Sequence, residues 1–156
     1  VLLSAVQLIA SGQAAPGTID GAKNPELIPD NVAFRVMFLM ISDGTAPMSR
    51  SARLGYMEKA FLTEKQVDIV IDAANHYRIV TNAATRKGVQ AKPKAPVTKE
   101  AESLFLAEWS RLQADVDRQL AGILRALETD LGQDDYGKLL HFVRTKVKAE
   151  TTYGKQ

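Results

Sequence analysis

The chain of 156 residues contains no cysteine, which excludes a disulfide framework, a thiolate metal site and a thiol nucleophile. Aromatic residues make up only 6% of it, and this low share disfavours a strand-rich sandwich. The 20 Lys and Arg nearly balance the 18 Asp and Glu, so the net charge does not indicate a nucleic-acid-binding protein. With 46% hydrophobic residues, the composition suits one domain with a modest core.

The sequence also lacks the short motifs of common enzymes, such as a nucleophile elbow, a zinc-protease helix or a phosphate-binding loop. Its two histidines are His76 and His141. Asp72 precedes His76 by four residues, which fits a surface ion pair on one helical turn better than a metal site or an oriented base. His141 lies between Leu140 and Phe142, as a histidine at a core boundary would. We therefore expect no enzyme, no cofactor and no metal, with His76 and His141 only weak ligand candidates.

The first residues resemble the end of an export signal. Eight of the ten residues from Val1 to Ala10 are apolar, and small residues and Pro16-Gly17 follow. An apolar run before a small-x-small site is typical of a signal peptide, whereas a short buried helix is the alternative. The run is too short to span a bilayer. We interpret 1–14 as a signal-peptide remnant, 15–31 as an irregular segment, 32–150 as one helical domain and 151–156 as a tail.

Hydrophobic spacing predicts helices over most of the remaining chain. The segment 32–41 is almost wholly apolar and could be a buried strand, but the Asp30 cap and the Gly44 stop favour a helix. Further helices are predicted at 48–61, 63–87, 99–131 and 134–150. The fold class is therefore all-α, with a long antiparallel helical hairpin formed by 63–87 and 99–131 and with shorter flanking helices. Gly88 is expected to end the first hairpin helix.

Positive charge is concentrated at one end of this hairpin. The interval 73–99 contains no Asp or Glu but includes Arg78, Arg86, Lys87, Lys92, Lys94 and Lys99. One interpretation is a solvated loop beside ordinary helix-terminal cations. The other is a docking surface for an acidic protein partner, an anionic envelope component or an unfolded client, with Met48, Met57 and Phe61 as apolar contacts. Tyr77 is the only aromatic residue near these cations, which disfavours stacking on nucleic-acid bases.

One short motif carries a family resemblance. Leu62-Thr63-Glu64-Lys65-Gln66 forms a capping box, in which Thr63 and Gln66 satisfy each other's backbone amides. It also resembles the LTxxQ signature of the periplasmic Spy/CpxP-like family of Cys-poor, all-helical exported proteins. That family commonly repeats the motif at the opposite end of the hairpin, where this chain has Leu131-Gly132-Gln133-Asp134-Asp135-Tyr136 without the Thr and Gln at the motif positions. The resemblance implies a periplasmic chaperone or stress-sensing role and a cradle-shaped dimer with a basic concave face.

Taken together, these observations predict an exported, non-enzymatic helical binding protein, periplasmic or secreted, that is chaperone-like or related to envelope stress. Its candidate binding residues are Arg78, Arg86, Lys87, Lys92 and Lys94, and its partner would be a protein or unfolded client rather than nucleic acid. Two alternatives stay open. One is a structural subunit that forms a homodimer or larger homo-oligomer through the long helix, and the other is a metal-binding stress protein.

Overall fold

The computed structural model describes residues 18–44 and 48–154, so the predicted signal-peptide remnant at 1–14 lies outside the described residues. Within them the protein is all-α apart from two very short strands, as the sequence predicted. The helices are α1 (Asp30–Ile41), α2 (Arg50–Met57), α3 (Glu64–Ala91), α4 (Lys99–Leu131) and α5 (Gln133–Phe142). Short 3₁₀-helices occur at Pro25–Leu27, Glu58–Ala60 and Lys148–Glu150, and α5 continues into a π-helical turn at Val143–Val147.

The antiparallel hairpin of α3 and α4 is the longest feature of the fold. Thr63 begins α3 with the predicted capping box: its hydroxyl accepts from the Gln66 amide (3.4 Å), and the Gln66 side chain accepts from the Thr63 amide (2.8 Å). Thr98 begins α4 by accepting from the Ala101 amide (3.2 Å). The 33 residues of α4 correspond to a helix about 50 Å long.

The predicted end of α3 at Gly88 was wrong. The helix continues to Ala91 and stops only where Lys92 precedes Pro93, because a residue before proline is disfavoured in helical conformation. Gly88 is buried inside α3, and a Cβ at this position would collide with the indole ring of Trp109 on α4. Gly88 is therefore a close-packing position between two helices and not a helix terminator.

The hydrophobic core lies at the end of the hairpin away from the 92–98 loop, where α3 begins and α4 ends, and we call this end the base. Residues of α3 between Val67 and Tyr77 and of α4 between Val116 and Leu131 face α1, Met57 of α2 and the segment 139–147. Aromatic contacts connect these elements: Phe38 lies 5.8 Å from Tyr77, and Phe34 lies 6.3 Å from Tyr136 between ring centroids. The helix predicted at 32–41 is confirmed, and its apolar side chains supply the centre of this core.

Asp30 differs from its predicted role as a helix cap. Pro29 takes the cap position, and Asp30 is the first residue of α1. Its carboxylate accepts from Arg144 (2.7 Å) and lies 2.6 Å from the ammonium group of Lys148. The bond from Arg144, with the charge of both cations, lowers the pKa of the Asp30 carboxyl. Asp30 thus joins the start of α1 to the helical turns that follow α5.

The predicted irregular segment, 15–31, and the predicted tail, 151–156, contain two short strands that pair with each other. Strand β1 (Thr18–Asp20) runs antiparallel to β2 (Thr152–Gly154), with Ile19 opposite Tyr153. Ile28 in the same N-terminal stretch is fully buried. The domain therefore begins before residue 32 and continues past residue 150. The sequence did not predict this pairing because a three-residue strand is too short to show a periodic pattern.

Two predicted helices are shorter or less regular than expected. The helix predicted at 48–61 begins after the Ser49 cap, ends at Met57 and passes through the 3₁₀-helix to Phe61, whose φ of 55° is left-handed. The helix predicted at 134–150 begins at Gln133 and changes to π-helical and 3₁₀ geometry after Phe142. Val143 and Val147 are nevertheless buried, so the predicted apolar stripe is retained.

Candidate functional site

The loop end of the hairpin extends beyond the core as a two-helix arm. We define the arm as residues 78–115, which comprise the second half of α3, the loop 92–98 and the first half of α4. In the base, buried side chains recur along both helices, but in the arm only Gly88 and Leu112 are buried. The arm is thus a thin structure with little core of its own, and most of its side chains face solvent.

Trp109 and Gly88 provide the main close contact within the arm. The absence of a side chain at Gly88 lets α3 approach the Trp109 ring closely, and Phe105 stacks on Trp109 with a centroid separation of 6.3 Å. A glycine inside a helix lowers the stability of the helix by about 1 kcal/mol relative to alanine. At Gly88 this loss accompanies the close packing of α3 against α4.

Large apolar side chains on the arm are strongly exposed. Leu104 retains 72% of its accessible surface and Val89 retains 68%. Scattered apolar residues are normal on protein surfaces, but in the arm they accompany the near absence of buried residues. The exposed large apolar residues of the arm are Ile79, Val89, Val97, Leu104 and Leu106.

All five predicted binding cations lie on this arm, and four of them are exposed: Arg86, Lys87, Lys92 and Lys94. The antiparallel return of α4 also brings Glu100, Glu102 and Glu108 to the same end. The Arg111 guanidinium, with the nearby charge of Lys87, lowers the pKa of Glu108. The arm is therefore less positive than the acid-free interval of the sequence indicated, because chain reversal mixes acidic and basic residues.

Arg78 belongs to a different environment, at the lower edge of the arm. Asp43 follows α1 and contacts the Arg53 guanidinium, while the Asn75 side chain donates to its carboxylate (2.8 Å) and accepts from its backbone amide (2.7 Å). Arg53 lowers the pKa of the Asp43 carboxyl most, followed by Asn75, and the charge of Arg78 also contributes. Arg78 is half-buried beside this network, so it acts at the junction between arm and base.

The residues of the LTxxQ-like motif lie in the base. Leu62 packs against the core. The side-chain amide of Gln66 donates to the carboxylate of Asp135 near the start of α5. Asp135 also accepts from Lys138 at 2.5 Å. The local role of the motif in this chain is to join α3 to α5.

The histidines and the proposed apolar contacts are placed as follows. Asp72 and His76 are both exposed, and no salt bridge or hydrogen bond joins them in the described part of the chain. His141 is exposed on α5. Within residues 18–44 and 48–154, no group of three potential metal ligands is present. Met57 is buried in the core and cannot contact a partner, which corrects that expectation, whereas Phe61 is 77% exposed and Met48 is half-buried.

Sequence reasoning missed two structural residues of this region, Gly88 and Asn75. The sequence around Gly88 indicates only a helix end, although Trp109, the one tryptophan, is a clear candidate for a packing partner. Asn75 carried no signal, since a polar residue within a helix is ordinary. Its pairing with Asp43 depends on how α1 meets α3.

Comparisons with known proteins give no relative: no family model, no curated protein and no solved structure matches this chain. The helices described here also include none that is long and apolar enough to cross a membrane.

Proposed function

We propose that this protein is an exported, non-enzymatic helical binding protein that captures partly unfolded polypeptides with its arm. The observation that carries the proposal is the coincidence of strongly exposed apolar side chains and cations on an arm with only two buried residues. Charges at a binding surface accelerate encounter with partners of opposite charge, and exposed apolar side chains provide area for contact. Reversible capture by such a surface is a chaperone-like activity.

The test is suppression of aggregation of an unfolded model protein at neutral pH. We expect the wild type to reduce light scattering by the client, and a variant with Arg86, Lys87, Lys92 and Lys94 changed to serine to lose most of this effect. Arg78 stays unchanged because of its position in the Asp43 network. Absence of suppression by the wild type would refute the proposal.

A matched control removes the same amount of charge elsewhere. Lys23, Lys59, Lys65 and Arg125 are exposed cations outside the arm, and their change to serine should leave suppression intact. Equal loss in both variants would show that net charge, and not the arm, produces the effect. Far-UV circular dichroism of each variant checks that helicity is unchanged.

Export is a separate part of the proposal, supported by the apolar run at 1–10 followed by small residues. Fractionation of cells that produce the natural precursor, followed by sequencing of the mature N-terminus, tests it. A mature chain that begins near residue 15 in the exported fraction would support the interpretation. Recovery of the uncut chain inside the cell would contradict it.

A homo-oligomeric structural subunit is the second candidate function, and the exposed leucines on α4 favour it. Light scattering across a concentration range separates the two proposals. A molar mass that rises with concentration and falls after Leu104→Ser would support assembly through α4, whereas a constant monomer mass would exclude it.

A further inference from the structure

One side of the arm forms a strip of two exposed apolar residues, Val89 and Leu106, bordered by cations. Residues eleven apart on an α-helix lie on the same face, after about three turns. On α3, Val89 therefore shares the face of Arg78, which is near Asp43 beyond the end of α1. On α4, Leu106 shares the face of Asp117, which contacts Arg35 of α1. Val89 and Leu106 thus lie on the side of the hairpin that α1 occupies, farther toward the tip.

The two apolar residues stand opposite each other across the hairpin. Gly88 packs against Trp109. Because α3 and α4 are antiparallel, this contact fixes which residues lie side by side, and Val89 and Leu106 lie at nearly the same position along the hairpin axis. Val89 is 68% and Leu106 is 45% exposed. They therefore form an accessible apolar pair.

The surface below this pair carries short side chains. Thr85 precedes Val89 by four residues and Ser110 follows Leu106 by four, so each lies below its apolar neighbour on the same helix face. Both residues are exposed. The strip is therefore an apolar pair above a shallow surface that a backbone can approach.

Cations border this strip. Lys99 lies seven residues before Leu106 on the same face of α4, Lys92 follows Val89 at the end of α3, and Arg78 closes the lower end. Glu102 precedes Leu106 by four residues, so one exposed carboxylate also lies on this face, between Lys99 and Leu106. The opposite side of the arm is mixed in charge, since Arg111 is paired with Glu108 there (2.7 Å) and the charge of Lys87 acts on the same carboxylate. The strip thus carries three cations, Arg78, Lys92 and Lys99, against the one carboxylate of Glu102, since Asp117 is paired with Arg35.

We propose that this strip binds an acidic amphipathic helix of a partner protein. In the base, α1 and the C-terminal segment pack on the α3–α4 pair and complete a core, whereas the arm is a helix pair whose third position is open on this side. From Arg78 to Lys92 the strip extends about 20 Å, which corresponds to about four turns of a docked helix. A helix with leucines on one face would cover Val89 and Leu106, and glutamates on its flanks would meet the cations.

This inference rests on the proposed binding function but is tested separately. The probe is a labelled helical peptide of about 20 residues with leucines at i, i+3, i+4 and i+7 and glutamates on both flanks. Fluorescence anisotropy with the full chain gives the Kd, and Trp109 emission reports directly from the arm. A peptide with lysine in place of every glutamate, but with the same leucines, is the control ligand. We expect the acidic peptide to bind and the basic peptide to bind at least about tenfold more weakly.

Paired variants locate the site. Leu106→Ser and the double variant Lys92→Glu/Lys99→Glu alter the strip, and each should weaken binding about tenfold through lost apolar contact or reversed charge. Leu39→Ser and Lys59→Glu/Lys65→Glu make the same changes at exposed residues outside the arm and should leave the Kd within about twofold. All of these side chains are exposed, so circular dichroism spectra should not change.

Three results would overturn the proposal: no binding of the acidic peptide, equal binding of both peptides, or equal weakening by both sets of variants. Self-association of the free protein that Leu106→Ser abolishes would assign the strip to a second copy instead, and would also overturn it. If aggregation suppression persists while the peptide fails to bind, the proposed function stands and this inference fails. If the peptide binds the strip without any suppression, the reverse holds.

Discussion

At the scale of single residues, Gly88 shows how one missing side chain determines the geometry of the arm. In an exposed helix, alanine in place of glycine would stabilise the protein by about 1 kcal/mol. At Gly88 the added methyl group would collide with the Trp109 ring, and the stacked Phe105 ring limits where the indole can move. The same substitution therefore acts through packing at this site.

We predict that Gly88→Ala lowers the free energy of unfolding by about 1–3 kcal/mol, the usual range for overpacking. Gly122→Ala is the matched control, because Gly122 also lies inside a long helix, α4, but nothing lies within 4 Å of an added Cβ. That variant should gain up to about 1 kcal/mol. Urea unfolding followed by circular dichroism measures both. A gain in stability for Gly88→Ala would mean that the ring moves freely.

Asp30 supports a second prediction at this scale, on pH. Its pKa is lowered in the folded protein by Arg144 and Lys148, so its stabilising effect is present above the unfolded pKa of about 3.9 and is lost as the pH falls through the folded pKa. Asp30→Asn should cost about 1 kcal/mol at neutral pH and reduce the loss of stability below about pH 4.

The control for this pH prediction is Asp72→Asn. Asp72 is exposed and has no salt bridge among the described residues, so its replacement should change neither the stability at neutral pH nor the acid profile. Thermal unfolding between about pH 2 and pH 7 makes the comparison. Identical acid profiles for the wild type and Asp30→Asn would contradict the assigned role of Asp30.

At the scale of elements, the two hairpin helices begin in the same way but in different surroundings. Thr63 caps α3 in the base, next to the core and to Asp135 on α5. Thr98 caps α4 at the tip of the arm, where the neighbouring residues are exposed. The caps are chemically alike, so any difference in their effects reflects the environment of each helix start.

We predict that Thr63→Ala lowers the global free energy of unfolding by about 1 kcal/mol, a typical value for a lost cap. Thr98→Ala should change it by less than half as much, because loss of that cap frays only the tip of the arm. Chemical denaturation measures the global effect, and amide exchange of residues 99–103 measures the fraying. Equal global losses would show that the tip unfolds only together with the base.

The elements also show which features local sequence can predict. Hydrophobic periodicity predicted the full extent of α4 from Lys99 to Leu131, and the Thr63–Gln66 spacing predicted the capping box of α3, because both depend on neighbours along one helix. The packing role of Gly88, the position of Arg78 and the β1–β2 pair depend on contacts between distant segments. The basic surface was only partly predicted for the same reason, since α4 brings three glutamates beside the cations.

At the scale of the whole molecule, the base and the arm should differ in local stability. Buried side chains are numerous along α3 and α4 in the base, whereas the arm has only Gly88 and Leu112. Local opening requires less free energy where fewer apolar contacts are lost. Binding to the arm would then order a region that opens easily.

We predict that amides in 80–91 and 100–111 exchange with solvent at least about tenfold faster than those in 67–77 and 116–127. Hydrogen exchange with mass spectrometry measures this. Addition of the acidic helical peptide should slow exchange in the arm and leave the base unchanged. Uniform protection along both helices would contradict the division into arm and base.

The short ribbon formed by β1 and β2 has a consequence for engineering the chain. Because Thr18 lies opposite Gly154, the two ends of the described chain are adjacent, at about the 5 Å separation of paired strands. A linker of a few residues could join them, with new termini opened in the loop 92–98 between α3 and α4. Such a circular permutant would keep every helix of the base continuous while freeing the two arm helices from their covalent connection, so its folding would show whether the arm needs that loop.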